Sequence, residues 1–190
     1  MKHELDNWEN QYLFEGLYKE DTGDVTAKRY FVGAQGNYQI NERSYIFANT
    51  KYEFDPFTGY DFTSTTSSGY GHRLIDTADI SLQAEIGPGY IYQGLDEETA
   101  LAEGYDSEDS VVAHAVLNYQ TKISDSSKFQ QRFVADWGEK LDARSETSLT
   151  ANIVGALAMK FAVIVRYNSD PLEGKESTDT ETNMTLLYAF

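Results

Sequence analysis

Asn183-Met184-Thr185-Leu186-Leu187-Tyr188-Ala189-Phe190 decides how this chain is read. Large apolar or aromatic side chains recur at 184, 186, 188 and 190, and smaller or more polar ones lie between them. A side-chain period of two is that of a β-strand, with one strongly apolar face and one milder face. Its greasy residues, Met184, Leu186, Tyr188 and Phe190, lie on one side.

Working back from this stretch, the same alternation divides the chain into about ten segments separated by turn-forming clusters. They fall near residues 8–18, 26–40, 43–54, 60–74, 79–93, 110–122, 128–138, 144–154, 160–168 and 179–190. In 128–138, for instance, Phe129, Phe133, Ala135 and Trp137 oppose Lys128, Gln130, Arg132 and Asp136. In 160–168, Phe161, Val163, Val165 and Tyr167 share a face. A short helical turn is expected between Leu95 and Tyr105. Gly87-Pro88-Gly89 interrupts a good strand pattern. Proline cannot donate to a ladder, so a bulge is expected there.

Composition narrows the classes. The chain has 190 residues, the natural size of one domain over 1–190. It carries 31 acidic against 15 basic residues, a net charge of −16, so it offers no basic surface for nucleic acid. It has no cysteine, hence no disulfide framework or thiolate metal site. Fourteen tyrosines and ten phenylalanines favour pleated, half-buried surfaces. The most apolar stretch, 149–165, is broken by Asn152 and Lys160 and is no spanning helix. A mean hydropathy of −0.52 ordinarily marks a water-soluble protein. A membrane barrel escapes that rule, because only alternate residues face lipid. Met1-Lys2-His3-Glu4 leads directly into polar sequence with no apolar leader core, as in a mature or shortened form or a chain that is not exported.

Position along the segments sharpens the expectation. At one end the apolar face carries Trp8, Tyr38, Tyr70, Tyr119, Phe129 and Phe161, and at the other Tyr18, Tyr30, Tyr52, Tyr60, Tyr92, Trp137 and Tyr167. Smaller residues such as Ala34, Ala84, Ala135 and Val163 lie between. Two aromatic girdles around an aliphatic band match the two membrane–water interfaces. The connectors alternate between short turns and longer acidic loops, as in outer-membrane barrels. The opposite face carries Glu15, Arg29, Gln35, Lys51, Glu53, Glu85, His114, Arg132 and Arg166, which are expected to form a polar network inside the barrel. Structural filling is the heavier reading of that network. The expected fold is therefore all-β: an antiparallel up-and-down transmembrane β-barrel of about ten strands.

Several motifs then carry a resemblance. Asn41-Glu42-Arg43-Ser44-Tyr45-Ile46-Phe47, Phe57-Thr58-Gly59-Tyr60-Asp61, Gly69-Tyr70-Gly71-His72-Arg73-Leu74-Ile75, Gly87-Pro88-Gly89-Tyr90, Arg166-Tyr167-Asn168-Ser169 and Thr178-Asp179-Thr180-Glu181-Thr182 resemble the uncharacterised family labelled salt-induced outer membrane proteins. The last strand also resembles the C-terminal assembly signal of outer-membrane barrels. The resemblance covers nearly the whole chain. It implies a Gram-negative outer-membrane barrel in contact with lipids and lipopolysaccharide, handled by the barrel-assembly machinery, and it brings no catalytic site. Family members usually carry a signal peptide and about one more hairpin before Trp8, which would make twelve strands.

No residue set points firmly to chemistry. His114 shares the polar face with acidic and serine residues, and a His–Asp pair there could activate water or serine. A hydrogen-bonding role is the more common one for such a residue. The connector with Asp96, Glu97, Glu98, Glu103, Asp106, Glu108 and Asp109 lacks the spacing of a calcium loop. No glycine-rich phosphate loop or nucleophile elbow is present. The expectation is a non-enzymatic, monomeric outer-membrane barrel without metal or cofactor, serving envelope structure, stress adaptation or a narrow pore. The alternatives are a soluble periplasmic ligand-binding barrel and an outer-membrane hydrolase built on His114.

Overall fold

The computed structural model describes residues 2–5, 7–21, 24–55, 59–172 and 174–188. Alternation becomes pairing throughout. The strands are β1 (Lys2–Leu5), β2 (Trp8–Asp21), β3 (Asp24–Gln39), β4 (Ser44–Asp55), β5 (Tyr60–Asp76), β6 (Ile80–Leu95), β7 (Ser107–Ser124), β8 (Ser127–Trp137), β9 (Leu141–Val154), β10 (Leu157–Asn168) and β11 (Thr178–Tyr188). They hydrogen-bond in the order β1 to β11, each neighbour in sequence being a neighbour in the sheet. The fold is all-β and antiparallel, the meander of the barrel-like class.

The ten expected segments correspond to β2–β11. The four-residue β1, in register with residues 8–11 of β2, is too short to show a period. The helical turn forms as α1 (Glu97–Glu103). Asp96 caps it by accepting from the Thr99 amide at 2.8 Å, and Gly104 ends it at φ 85°, a left-handed conformation that glycine adopts at no steric cost. Among the described residues no helix is long and apolar enough to cross a membrane, which bears only on helices. The connectors are more even than expected. β2 runs to Asp21 and β3 begins at Asp24, while β8 and β9 leave only residues 138–140 between them. Residues 96–106 and 169–177 are the long ones.

Pro88 does not shift the side-chain phase. Glu85, Gly89 and Ile91 are buried while Ile86, Pro88 and Tyr90 are exposed, so alternation continues through it. A bulge with one extra residue would have reversed the faces beyond it. Gly87 is needed for a different reason. A Cβ there would collide with the Ser68 carbonyl oxygen and stand 2.6 Å from the Gly69 Cα, so only glycine lets β5 come this close.

The chain divides into two compact units, residues 1–70 with 87–113 and residues 71–86 with 114–190. In the first, the buried face combines Asn37, Asn49, Thr65, Ser67 and Gln93 with Tyr45, Phe47, Ile91, Leu95 and Val112. Ser67 Oγ donates to Asn49 Oδ1 at 2.9 Å, and Gln93 Nε2 donates to Thr63 Oγ1 at 3.2 Å. The exposed face carries aromatic contacts: Tyr52 stacks on Phe62 at 5.3 Å, Phe62 meets Tyr92 at 5.8 Å, and Trp8 meets Tyr38 edge-on at 5.3 Å. Tyr60, expected among the outward aromatics, is instead buried, and its hydroxyl donates to Glu108 Oε1 at 2.6 Å. A phenol that reaches an acceptor tolerates burial.

In the second unit the buried face holds Glu85, His114, Ser148 and Glu181 beside Val116, Val134, Ala162 and Ile164. Its exposed face holds Leu117, Phe133, Trp137, Leu149, Phe161, Tyr167, Met184 and Leu186. In both units, then, many large apolar side chains are exposed on the face opposite the buried polar groups, while others, Tyr45, Phe47, Val134 and Ile164 among them, share the buried face with those groups. That is the reverse of a water-soluble sheet, which hides its greasy face.

Candidate functional site

The ionic groups concentrate on the buried face of the second unit, and strand register explains why. Residues directly opposite one another in an antiparallel pair point to the same face. One row across the sheet reads Asp136, Asp142, Asn168 over β8, β9 and β10. The next reads Val134, Arg144, Arg166, Asp179 over β8 to β11, and the one after it Arg132, Glu146, Ile164, Glu181.

Glu146 is the hub. Its Oε1 accepts from Lys160 Nζ at 2.9 Å and its Oε2 from Arg144 Nη2 at 3.3 Å, while Arg132 stands opposite it in register. Arg166 Nη1 donates to Glu181 Oε2 at 3.1 Å and more weakly to Asp179 Oδ2 at 3.5 Å. Glu181 Oε1 accepts from Asn183 Nδ2 at 2.6 Å. Charged hydrogen bonds of this kind are stronger in a partly dry setting than in water. Below Arg132, Gln130 Nε2 donates to Asn118 Oδ1 at 3.3 Å.

His114 on β7 is fully buried, and its Nδ1 lies 2.6 Å from Asp136 Oδ1, whose side chain is 12% exposed. The pair has the base-and-orienter form that chemistry uses. An imidazole with no exposed surface, however, offers no face to a substrate. In the first unit, Arg29 lies 3.7 Å from Glu53, and Gln35 Nε2 donates to Asn37 Oδ1 at 3.0 Å. Lys51 is half-buried on the same face. In the second, Glu85 is buried and accepts from Gln83 Nε2 at 3.2 Å.

Of the residues read from sequence, Arg29, Gln35, Lys51, Glu53, Glu85, His114, Arg132 and Arg166 are all buried or half-buried. Trp8, Tyr30, Tyr38, Tyr92, Trp137, Phe161 and Tyr167 are exposed, while Tyr119 and Phe129 are half-buried and meet at 6.4 Å. Met184 and Leu186 are exposed. The side chains of Glu15, Tyr18 and Tyr188, and the whole of Phe190, lie outside the described residues. The sequence reading missed Arg144, Lys160 and Glu181 as network members. Register could have found Arg144, because the turn at residues 138–140 sets Trp137 opposite Leu141 and hence Val134 opposite Arg144.

Near α1 an open groove of about 330 Å³ is lined by Asp61, Leu95, Glu97, Ala100, Leu101 and Asp106. Among the described residues, no three His, Asp or Glu side chains are placed to hold a metal ion.

Comparison with known proteins adds a family. The family described as "Protein of unknown function, DUF481" matches residues 1–190. A relative, the uncharacterized protein YdiY of Escherichia coli strain K12, is 27% identical over 165 residues, which make up 86% of this chain and 63% of that protein. The chain thus spans a little under two thirds of its relative's length. No solved structure matches it.

Proposed function

The chain belongs to the DUF481 family, and from its exposed apolar face we propose that it is an integral β-barrel of the outer membrane of a Gram-negative bacterium. In this reading it is non-enzymatic and serves envelope structure, salt-stress adaptation or a narrow polar passage. The single observation that carries the reading is the sidedness of the sheet. Phe133, Trp137, Leu149, Phe161, Met184 and Leu186 are exposed, whereas His114, Ser148 and Glu181 are buried. In water such a surface is an aggregation hazard; in hydrocarbon it is the stable arrangement.

Lipid and lipopolysaccharide are the natural neighbours of the exposed face, and the last strand, with Met184 and Leu186 outward, suits the barrel-assembly machinery. A monomer is sufficient for this role. The complete burial of His114 supports a structural part for the His114–Asp136 pair over a hydrolytic one. A soluble periplasmic barrel would need the opposite sidedness.

Reconstitution tests the proposal. Protein expressed in a Gram-negative host should sediment with outer membranes, resist carbonate extraction and stay folded only in detergent or lipid. A protein that is monomeric and folded in detergent-free buffer refutes membrane insertion. Planar-bilayer recording then separates a conducting passage from a plugged barrel.

A further inference from the structure

We propose that Arg132, Arg144 and Arg166 form a binding site for a small oxyanion, of the phosphate or sulfate class, on the buried face of the second unit. The inference concerns that face alone and does not rest on membrane insertion.

Register is the first ground. Arg144 and Arg166 are directly opposite one another across β9 and β10, on one face. Like charges in that position oppose pairing of the strands, so pairing alone does not account for them. Arg132 lies one strand and one row away, opposite Glu146. The three guanidinium-bearing residues therefore occupy three adjacent strands within two neighbouring rows.

The second ground is that the acceptors are already taken. Glu146 spends one oxygen on Lys160 and the other on Arg144. Arg132 is half-buried and its charge is attracted to Glu146, which it faces in register, but no hydrogen bond of its guanidinium is found among the described residues. Arg166 Nη2 is likewise buried with no hydrogen-bond partner among them. A guanidinium carries five donors and no acceptor, and leaving them unmade in a partly dry setting is costly.

The surroundings suit an anion. Val134 and Ile164, both buried, sit in the same two rows and keep the local dielectric low, which strengthens charge-assisted bonds. Glu146 and Glu181 hold Arg144 and Arg166 in position by hydrogen bonds, while Arg132 is drawn to Glu146 by charge alone and keeps its hydrogen-bond donors for an anion. The Arg144 and Arg166 side chains are 30% and 24% exposed, so a small ion can reach them. The planar forks of arginine match an oxyanion in a way that lysine does not.

Inorganic phosphate is the probe. The full chain, folded in a nonionic detergent, is titrated calorimetrically at constant ionic strength set with sodium chloride. Wild type should bind saturably. Arg132→Gln should bind roughly tenfold more weakly or worse. Arg132→Lys should fall between the two, and Lys122→Gln, an exposed residue paired with Asp79, should match wild type. A parallel titration with dihexanoyl phosphatidylglycerol separates the sources: tighter binding than phosphate assigns the site to a lipid headgroup, weaker binding to a free anion. No saturable phosphate binding beyond that of chloride overturns the proposal. So does an affinity left unchanged in both Arg132 variants.

Discussion

Replacing Val163 by arginine should cost more in a bilayer than in any aqueous fold. Val163 is the seventh of the twelve residues of β10, opposite Thr147 on β9 and Thr182 on β11. At about 3.4 Å per residue and a tilt near 40°, such a strand spans roughly 30 Å along the membrane normal, placing Val163 within about 2 Å of the midplane. Arginine at that depth costs about 2–4 kcal/mol, a change of roughly 30- to 900-fold in the folding equilibrium. Tyr167, near the end of the same strand and on the same face, should lose only about 0–1 kcal/mol on the same change. The assay is reversible urea unfolding in large unilamellar vesicles, followed by tryptophan fluorescence. If the exposed face meets water instead, both substitutions should fall within about 0.5 kcal/mol of wild type, and that result refutes the reasoning.

Three further outcomes follow from the geometry. His114→Ala removes a fully buried ring and leaves Asp136 without its 2.6 Å partner. It should destabilise by about 2–4 kcal/mol in the same urea assay, and an unchanged midpoint would mean that the pair contributes nothing. Gly87→Ala drives a methyl into the Ser68 carbonyl, so thermal unfolding should fall by an amount equivalent to about 1–3 kcal/mol, while Gly155→Ala, with open space around it, should test only its positive φ. Glu146→Gln leaves Arg144 and Lys160 without the carboxylate they hydrogen-bond and Arg132 without the charge that faces it. It should lose about 1–3 kcal/mol in low salt and less in high salt, as comparison of urea midpoints at two ionic strengths will show.

The strands were largely legible because alternation is a local property. Each of β2–β11 shows it within its own residues, and the polar side of Arg29, Glu85, His114 and Arg132 could be assigned from parity alone. Contacts between strands were less legible. Tyr45, Phe47, Val134 and Ile164 share parity with the polar residues, so the buried face is an apolar–ionic mixture. Parity names a face but not its filling. Arg144, Lys160 and Glu181 gain their meaning from register, which depends on where each turn falls. Tyr60 was misplaced because its tie to Glu108 spans 48 positions of sequence. β1 was invisible because four residues hold no period.

The direct test of sidedness uses the two tryptophans, Trp8 and Trp137, which are 49% and 71% exposed on the apolar face. Their fluorescence should be quenched strongly by lipids brominated near the headgroup, and weakly by aqueous acrylamide. Strong acrylamide quenching together with indifference to brominated lipid would show that this face meets water, contradicting the proposal that it lies in hydrocarbon.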